Sequence, residues 1–407
     1  MFSFSILVIL LQLIILILII NKIGFNAPPV PEFFLLVFGQ LAIVSFYYQT
    51  TNIEIPFDLF LISLLISLTT FYFFIPKIKK ENAIFQYDIK PRIGFLNFTR
   101  ISFYLYCLIH LFFSILILQS GNGGERVVLF KSLPVLSVFL NLLRGPAIIH
   151  ISSVLSDHRK SFLGYIKLFL ILILLALSGA KSSVLVALIE INFYSRILYG
   201  KTNIGFLKTL FLGSFFFGIT LFIYLQSNNS VFRDFYSFIL YRGDIYNNLL
   251  AGGEDLFLQI KDYYSGTAIF YPFYHLLKFV GISLFPHPLG TVISSQATAS
   301  IALDDAAGGA ITPFFIYIYI FLGRNPILYF FFSIICGYSS AKLFSLGYKI
   351  LKTKQLTSFR LIISYWLLNS WYLIRDPTVF SYYYSPLLIF AIFIFFVKPN
   401  PLRIIKD

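Results

Sequence analysis

Lys181 lies in LSGAKSSVL, residues 177–185, between the apolar runs LFLILILLA and VALIEI. A lysine at the centre of a bilayer costs about 2.5–3.5 kcal/mol on insertion scales. Either it sits at a helix end, where it can snorkel to the interface at low cost, or an anion compensates it. Other cations invite the same question. Arg144 stands in NLLRGPAIIH, Arg375 in YLIRDPTVF, Arg242 in LYRGDIY, Arg233 in VFRDF and Arg324 in FLGRNP. Arginine's planar fork matches phosphate oxygens bidentately, and lysine adds a compact charge. Grouped at one mouth of a helical bundle, such residues would suit an anionic lipid head such as a polyprenyl diphosphate. Each also has a plainer reading. Arg144 could be closed by a buried ion pair or by carbonyls, and Arg375 could pair with Asp376.

A sugar transfer with a diphosphate leaving group also needs a base for the acceptor hydroxyl. Candidates are His275 in FYPFYHLLK, His287 in FPHPLG, and the acids Glu254, Asp255, Asp304 and Asp305. The aromatic neighbours of His275 could stack on sugar rings. Either histidine alone is more often a surface residue. Paired acids could bind a metal through oxygen but are more often solvated turn residues. No metal ligand set is assigned and no cofactor is expected. There is no HExxH, GxGxxG, Walker loop or GxSxG to support a peptidase, a nucleotide-driven enzyme or a serine hydrolase.

The elements that must position these residues follow from composition. The 407 residues are 58% hydrophobic and 12% charged, with a mean hydropathy of +0.85. Soluble domains carry about 25% charged residues, so an all-α, polytopic integral membrane protein is expected. Apolar runs near 2–20, 33–49, 57–75, 101–118, 134–155, 163–179, 183–199, 207–225, 325–345, 360–374 and 380–397 make about eleven spans. The first run has no basic segment before it and no cleavage signal after it, so it reads as a retained span. Cys107 and Cys336 lie in apolar runs and read as helix filler.

A net charge of +14 would raise nucleic acid as a partner in a soluble chain. Here the positive-inside rule is the simpler cause, and no nucleic acid is expected. With the loop 76–100 inside, alternation places the N-terminus outside and the C-terminus inside, and about 21 of the 31 Lys and Arg fall inside. Residues 226–312 then form one outside loop of 87 residues, with four cations against seven acids. Three regions result: 1–225 with eight spans, the loop 226–312, and 313–407 with three spans and the C-terminus. In this layout SGAKS is an outer hairpin turn. Pro146 should break the fifth span and turn Arg144 toward a cavity. Lys167 and Glu190, on partner helices, are about 6 Å apart in depth and are expected to pair. His110 reads as a satisfied buried histidine, and His150 faces away from Arg144 and is unassigned.

The pattern resembles the O-antigen polymerase (Wzy) family, the oligosaccharide repeat-unit polymerases. LSGAKSSVL is similar to that family's hairpin segment, with lysine where arginine is common. DDAAGGAITPFFIYIYIFLG, residues 304–323, is similar to the segment closing its large periplasmic loop. WYLIRDPTVF is similar to the stretch with an arginine at the outer end of the penultimate span. The resemblance implies a glycosyltransferase at the periplasmic face of the bacterial inner membrane. It would join repeat units carried on undecaprenyl diphosphate, with a chain-length regulator as a further partner. By matching position, Lys181 and Arg375 would hold diphosphate, with Arg242 a looser match. Rival readings are an O-antigen ligase, which would share the cations and the late loop, a flippase for the same lipid-linked unit, and a non-catalytic membrane receptor. A flippase usually shows two similar halves and no dominant loop.

Overall fold

In the computed structural model, the described residues are 2–47, 57–78, 93–120, 134–157, 161–178, 181–200, 204–225, 325–352 and 358–375. Among them there are helices and no strands. In chain order they are α1 (Phe2–Ile23), α2 (Pro29–Tyr47), α3 (Phe57–Phe74), α4 (Ile93–Ser120), α5 (Pro134–Ser156), α6 (Ser161–Leu177), α7 (Lys181–Tyr199), α8 (Phe206–Leu225), α9 (Pro326–Leu351), α10 (Ser358–Leu368) and α11 (Tyr372–Arg375). Each of the first ten expected apolar runs coincides with one of these helices or, for 360–374, with the pair α10–α11. The eleventh run, 380–397, and the loop 226–312 lie outside the described residues.

Among the described residues, three helices are long and apolar enough to cross a membrane: Phe4–Ile23, Leu96–Gln119 and Pro326–Leu351. Shorter apolar helices include Leu59–Phe74, Leu142–Ser156 and Phe162–Leu177. The surface agrees with a membrane protein. Leu7, Leu10, Ile14 and Ile17 form an exposed stripe on α1, and Ile101, Leu105, Leu108 and Phe112 form one on α4. Buried positions meanwhile include Gln12, His110, Lys167, Glu190 and Asn192. Large exposed apolar faces are rare on soluble monomers, and lipid is the solvent that tolerates them.

Without a hydrophobic drive between helices in lipid, close approach depends on small residues. Ser333, Gly337 and Ala341 recur every fourth residue on α9, opposite Ser63 and Ser67 on α3. The Ser67 hydroxyl donates to the Ser333 carbonyl at 3.1 Å. A Cβ on Gly337 would collide with the Ser67 carbonyl oxygen. Phe60 meets Tyr329 and Phe71 meets Phe344, so α3 and α9 run parallel. Gln12 donates to the Leu61 carbonyl and Lys22 to the Tyr72 carbonyl, so α1 is parallel to α3. Lys22, Lys77, Lys349 and Lys352 therefore share one end of the bundle. Arg196, at the end of α7, lies over Gly24 at that end too. Gly24 has a φ of +88°, which favours glycine.

One expectation about a break is corrected. The helix α5 continues through Pro146. Residues 145–152 are buried, and packed neighbours tolerate the lost amide bond, as they do in membrane helices generally. The break falls instead between α10 and α11, at Asn369–Trp371. There the Ser340 and Ser370 hydroxyls each donate to the other's carbonyl, at 3.0 and 2.7 Å, pinning the turn to α9.

Candidate functional site

Helix α5 packs against α4, α6, α7 and α10, and its polar side chains are divided among them. Arg144 reaches α7, where its Nη2 and Nε donate to Oε2 of Glu190 at 3.0 and 3.2 Å. Glu190 is 1% exposed and Arg144 16%. The second carboxylate oxygen, Oε1, accepts from the Tyr365 hydroxyl of α10 at 3.0 Å. The Asn369 side chain also faces this carboxylate. Its amide donates to the Tyr365 carbonyl, and its oxygen accepts from Trp371 Nε1 at 3.2 Å. Gly145 lets this happen: a Cβ there would lie 2.5 Å from the Tyr365 ring. Tyr194, one turn below Glu190, stacks on Tyr365 at 6.3 Å. Its buried hydroxyl has no hydrogen-bond partner among the described residues. The site is thus a charged pair roofed by two tyrosines, with a polar position beside it still to be satisfied.

The expected Lys167–Glu190 pair is not formed. Helix α5 stands between the two partners and intercepts both. While Arg144 takes Glu190, His150 on another face of α5 takes Lys167, with Nζ donating to Nε2 at 2.8 Å. Depth along the helices suggested the wrong pairing because it ignored the helix in between. His110 is satisfied as expected, its Nδ1 lying 2.9 Å from the Ser178 hydroxyl. Cys107 and Cys336 are both free thiols in helices.

Of the expected phosphate ligands, Lys181 is the first residue of α7 and Arg375 the last of α11. Glu190 faces Asn369, and Tyr194 faces Tyr365, so α7 and α10 are antiparallel. Glu190 is nine residues past Lys181, and Tyr365 is ten before Arg375. The end of α7 that carries Lys181 and the end of α10 that leads into α11 and Arg375 therefore lie on one side, opposite the end where Lys22, Lys77 and Lys352 gather. Arg144 is engaged by Glu190, as the ion-pair alternative had it, and does not open onto a cavity through a helix break. Arg233, Arg242, Glu254, Asp255, His275, His287, Asp304, Asp305, Arg324 and Asp376 lie outside the described residues. The chain matches no family model, no curated protein and no solved structure.

Sequence reasoning missed Tyr365, Asn369 and Tyr194. Tyr194 follows Glu190 by four residues and Asn369 follows Tyr365 by four, so each pair shares a helix face. That spacing was visible. What was missing was the antiparallel contact that brings the two faces together.

Proposed function

We propose that this chain is a multi-pass polymerase of lipid-linked oligosaccharide repeat units in the bacterial inner membrane. In this reading about eleven helices span the bilayer, the N-terminus is periplasmic and the C-terminus cytoplasmic. The segment 226–312 is the large periplasmic loop. The observation that carries the reading is the shared side of Lys181 and Arg375. Two cations that the positive-inside rule disfavours on that side are brought there by helices locked through one buried polar cluster.

The reaction this supports is glycosyl transfer from undecaprenyl diphosphate. A hydroxyl of the newest repeat attacks the anomeric carbon of the growing glycan. The bond from that carbon to the diphosphate oxygen breaks, and the diphosphate leaves with the bonding pair. Lys181 and Arg375 hold the departing charge, aided by Arg242. Arg144 lies deeper, on α5, where Glu190 answers its charge and holds its guanidinium in place. His275 or His287 accepts the hydroxyl proton. Fixed cations aimed at developing charge are among the larger contributions an enzyme makes.

The test is the surface polysaccharide of a strain lacking the chain, resolved on a gel. A ladder collapsing to lipid A core with one repeat supports polymerase. Loss of every repeat, with long polymer left on the carrier lipid, replaces it with ligase. Single units trapped on the inner leaflet replace it with flippase. An unchanged ladder rejects the glycan reading.

A further inference from the structure

Lys167 poses a problem that the polymerase reading does not absorb. It is 8% exposed, and His150 beside it is 6% exposed. Among the described residues its polar partner is that histidine, at 2.8 Å. The rings of Phe103 and Tyr104 on α4 lie 5.3 Å from Nζ. Ring faces attract a cation but do not neutralise it. No carboxylate among the described residues pairs with Lys167.

A second cation faces the same place. Arg100 is exposed on α4, one turn before Phe103 and Tyr104 and on the same helix face. Its charge is felt at His150 together with that of Lys167. On α4 and α6 both side chains lean toward the helix N-terminus. That is the end away from Ser178 and Lys181, and so the cation-rich end of the bundle. Helix α6 follows α5 closely here: a Cβ on Gly164 would meet the Leu155 backbone nitrogen at 2.9 Å. This tight crossing sets His150 opposite Lys167. Flanking the cations, Ile101, Tyr104 and Leu108 on α4 and Leu163, Ile166 and Leu170 on α6 form two exposed apolar stripes.

We propose that Arg100, Lys167 and His150 form a site between α4, α5 and α6 for the phosphate of an anionic glycerophospholipid. The phosphate supplies the counter-charge, and the acyl chains lie along the two stripes. A basic pocket at a helix boundary beside apolar faces is the chemistry that selects anionic over zwitterionic headgroups. A free phosphate would satisfy the cations but not the stripes. The site depends on the membrane reading of these helices and not on polymerase activity.

The experiment is native mass spectrometry of the full chain in detergent, titrated with phosphatidylglycerol, phosphatidylcholine or inorganic phosphate. The wild type is expected to retain one phosphatidylglycerol in preference to phosphatidylcholine. Arg100→Gln should weaken retention about fivefold, and adding Lys167→Gln should weaken it about fivefold again. Lys167→Arg should retain the lipid. Equal retention of phosphatidylcholine overturns the proposal, as does unchanged binding in Arg100→Gln. Displacement of the lipid by inorganic phosphate alone would make this a free-anion site. Arg100 is exposed, so its variant tests the site even if Lys167→Gln fails to fold.

Discussion

Arg144 on α5 and Glu190 on α7 meet at 3.0 Å inside the helical bundle, and Tyr365 on α10 closes the carboxylate from the other side. Three helices distant in sequence are thereby tied at one point. The arginine keeps some exposure and the glutamate almost none, so the pair is open toward its cationic member.

Removing one partner should cost more than removing both. Glu190→Gln leaves Arg144 without its counter-charge, and breaking a buried pair costs about 3–5 kcal/mol. Arg144→Met combined with Glu190→Met should recover most of that loss. Tyr365→Phe, which removes one donor to a charged group, should cost about 1.5–3 kcal/mol. Thermal unfolding of the purified protein in detergent reads these three variants together with the Arg144→Met and Glu190→Met singles. Strictly additive losses in the double variant would show that the two charges do not depend on each other.

Gly145 should behave as a spacer. A Cβ there would lie 2.5 Å from the Tyr365 ring, so Gly145→Val must push the tyrosine away and loosen its bond to Glu190. Overpacking of this kind costs about 1–3 kcal/mol. In a Tyr365→Ala background the same change should cost far less, because the obstructing ring is gone. An equal loss in both backgrounds would place the effect elsewhere on α5.

The helices were legible because apolar runs of this length have few other uses, and the exposed stripes on α1 and α4 follow from their composition alone. Lys181 and Arg375 fell at helix ends because apolar periodicity stops there. Pairings were less legible. Lys167 and Glu190 matched in depth, yet depth says nothing about which helix stands between, and α5 stands between. Pro146 suggested a break from its chemistry, but burial around residues 145–152 holds that helix together. The break at Asn369–Trp371 depends on Ser340, 30 residues earlier, a contact with no local signal. His275, His287 and Arg242 lie beyond the described residues, so the base of the proposed reaction rests on sequence alone.

Small residues on α9 should matter by position and not by type. Gly337→Leu would drive a branched side chain into the Ser67 carbonyl and Thr70 and separate α3 from α9. A Cβ on Gly218, by contrast, would have no neighbour within 4 Å. Gly337→Leu is expected to reduce membrane accumulation severely, and Gly218→Leu to leave it near wild type. Equal tolerance of both would mean that α3 and α9 do not pack through this face.

The orientation of the bundle can be read from three exposed positions. Helix α9 separates Asn325 from Lys352 by 26 residues, about 39 Å of helix, so the two lie at opposite ends. Lys77 follows α3, which runs parallel to α9, and so shares the end of Lys352. With Cys107 and Cys336 replaced by alanine, single cysteines at Lys77, Lys352 and Asn325 can be probed with a membrane-impermeant thiol reagent in cells whose inner membrane is intact. The positive-inside rule assigns the lysine-rich end to the cytoplasm. Asn325→Cys should therefore label, while Lys77→Cys and Lys352→Cys label only after the inner membrane is opened. The reverse pattern would turn the protein over and place Lys181 and Arg375 on the cytoplasmic side, away from any periplasmic glycan. Labelling of Lys77→Cys without Lys352→Cys would go further, because it separates two ends that the Ser67–Ser333 contact holds together.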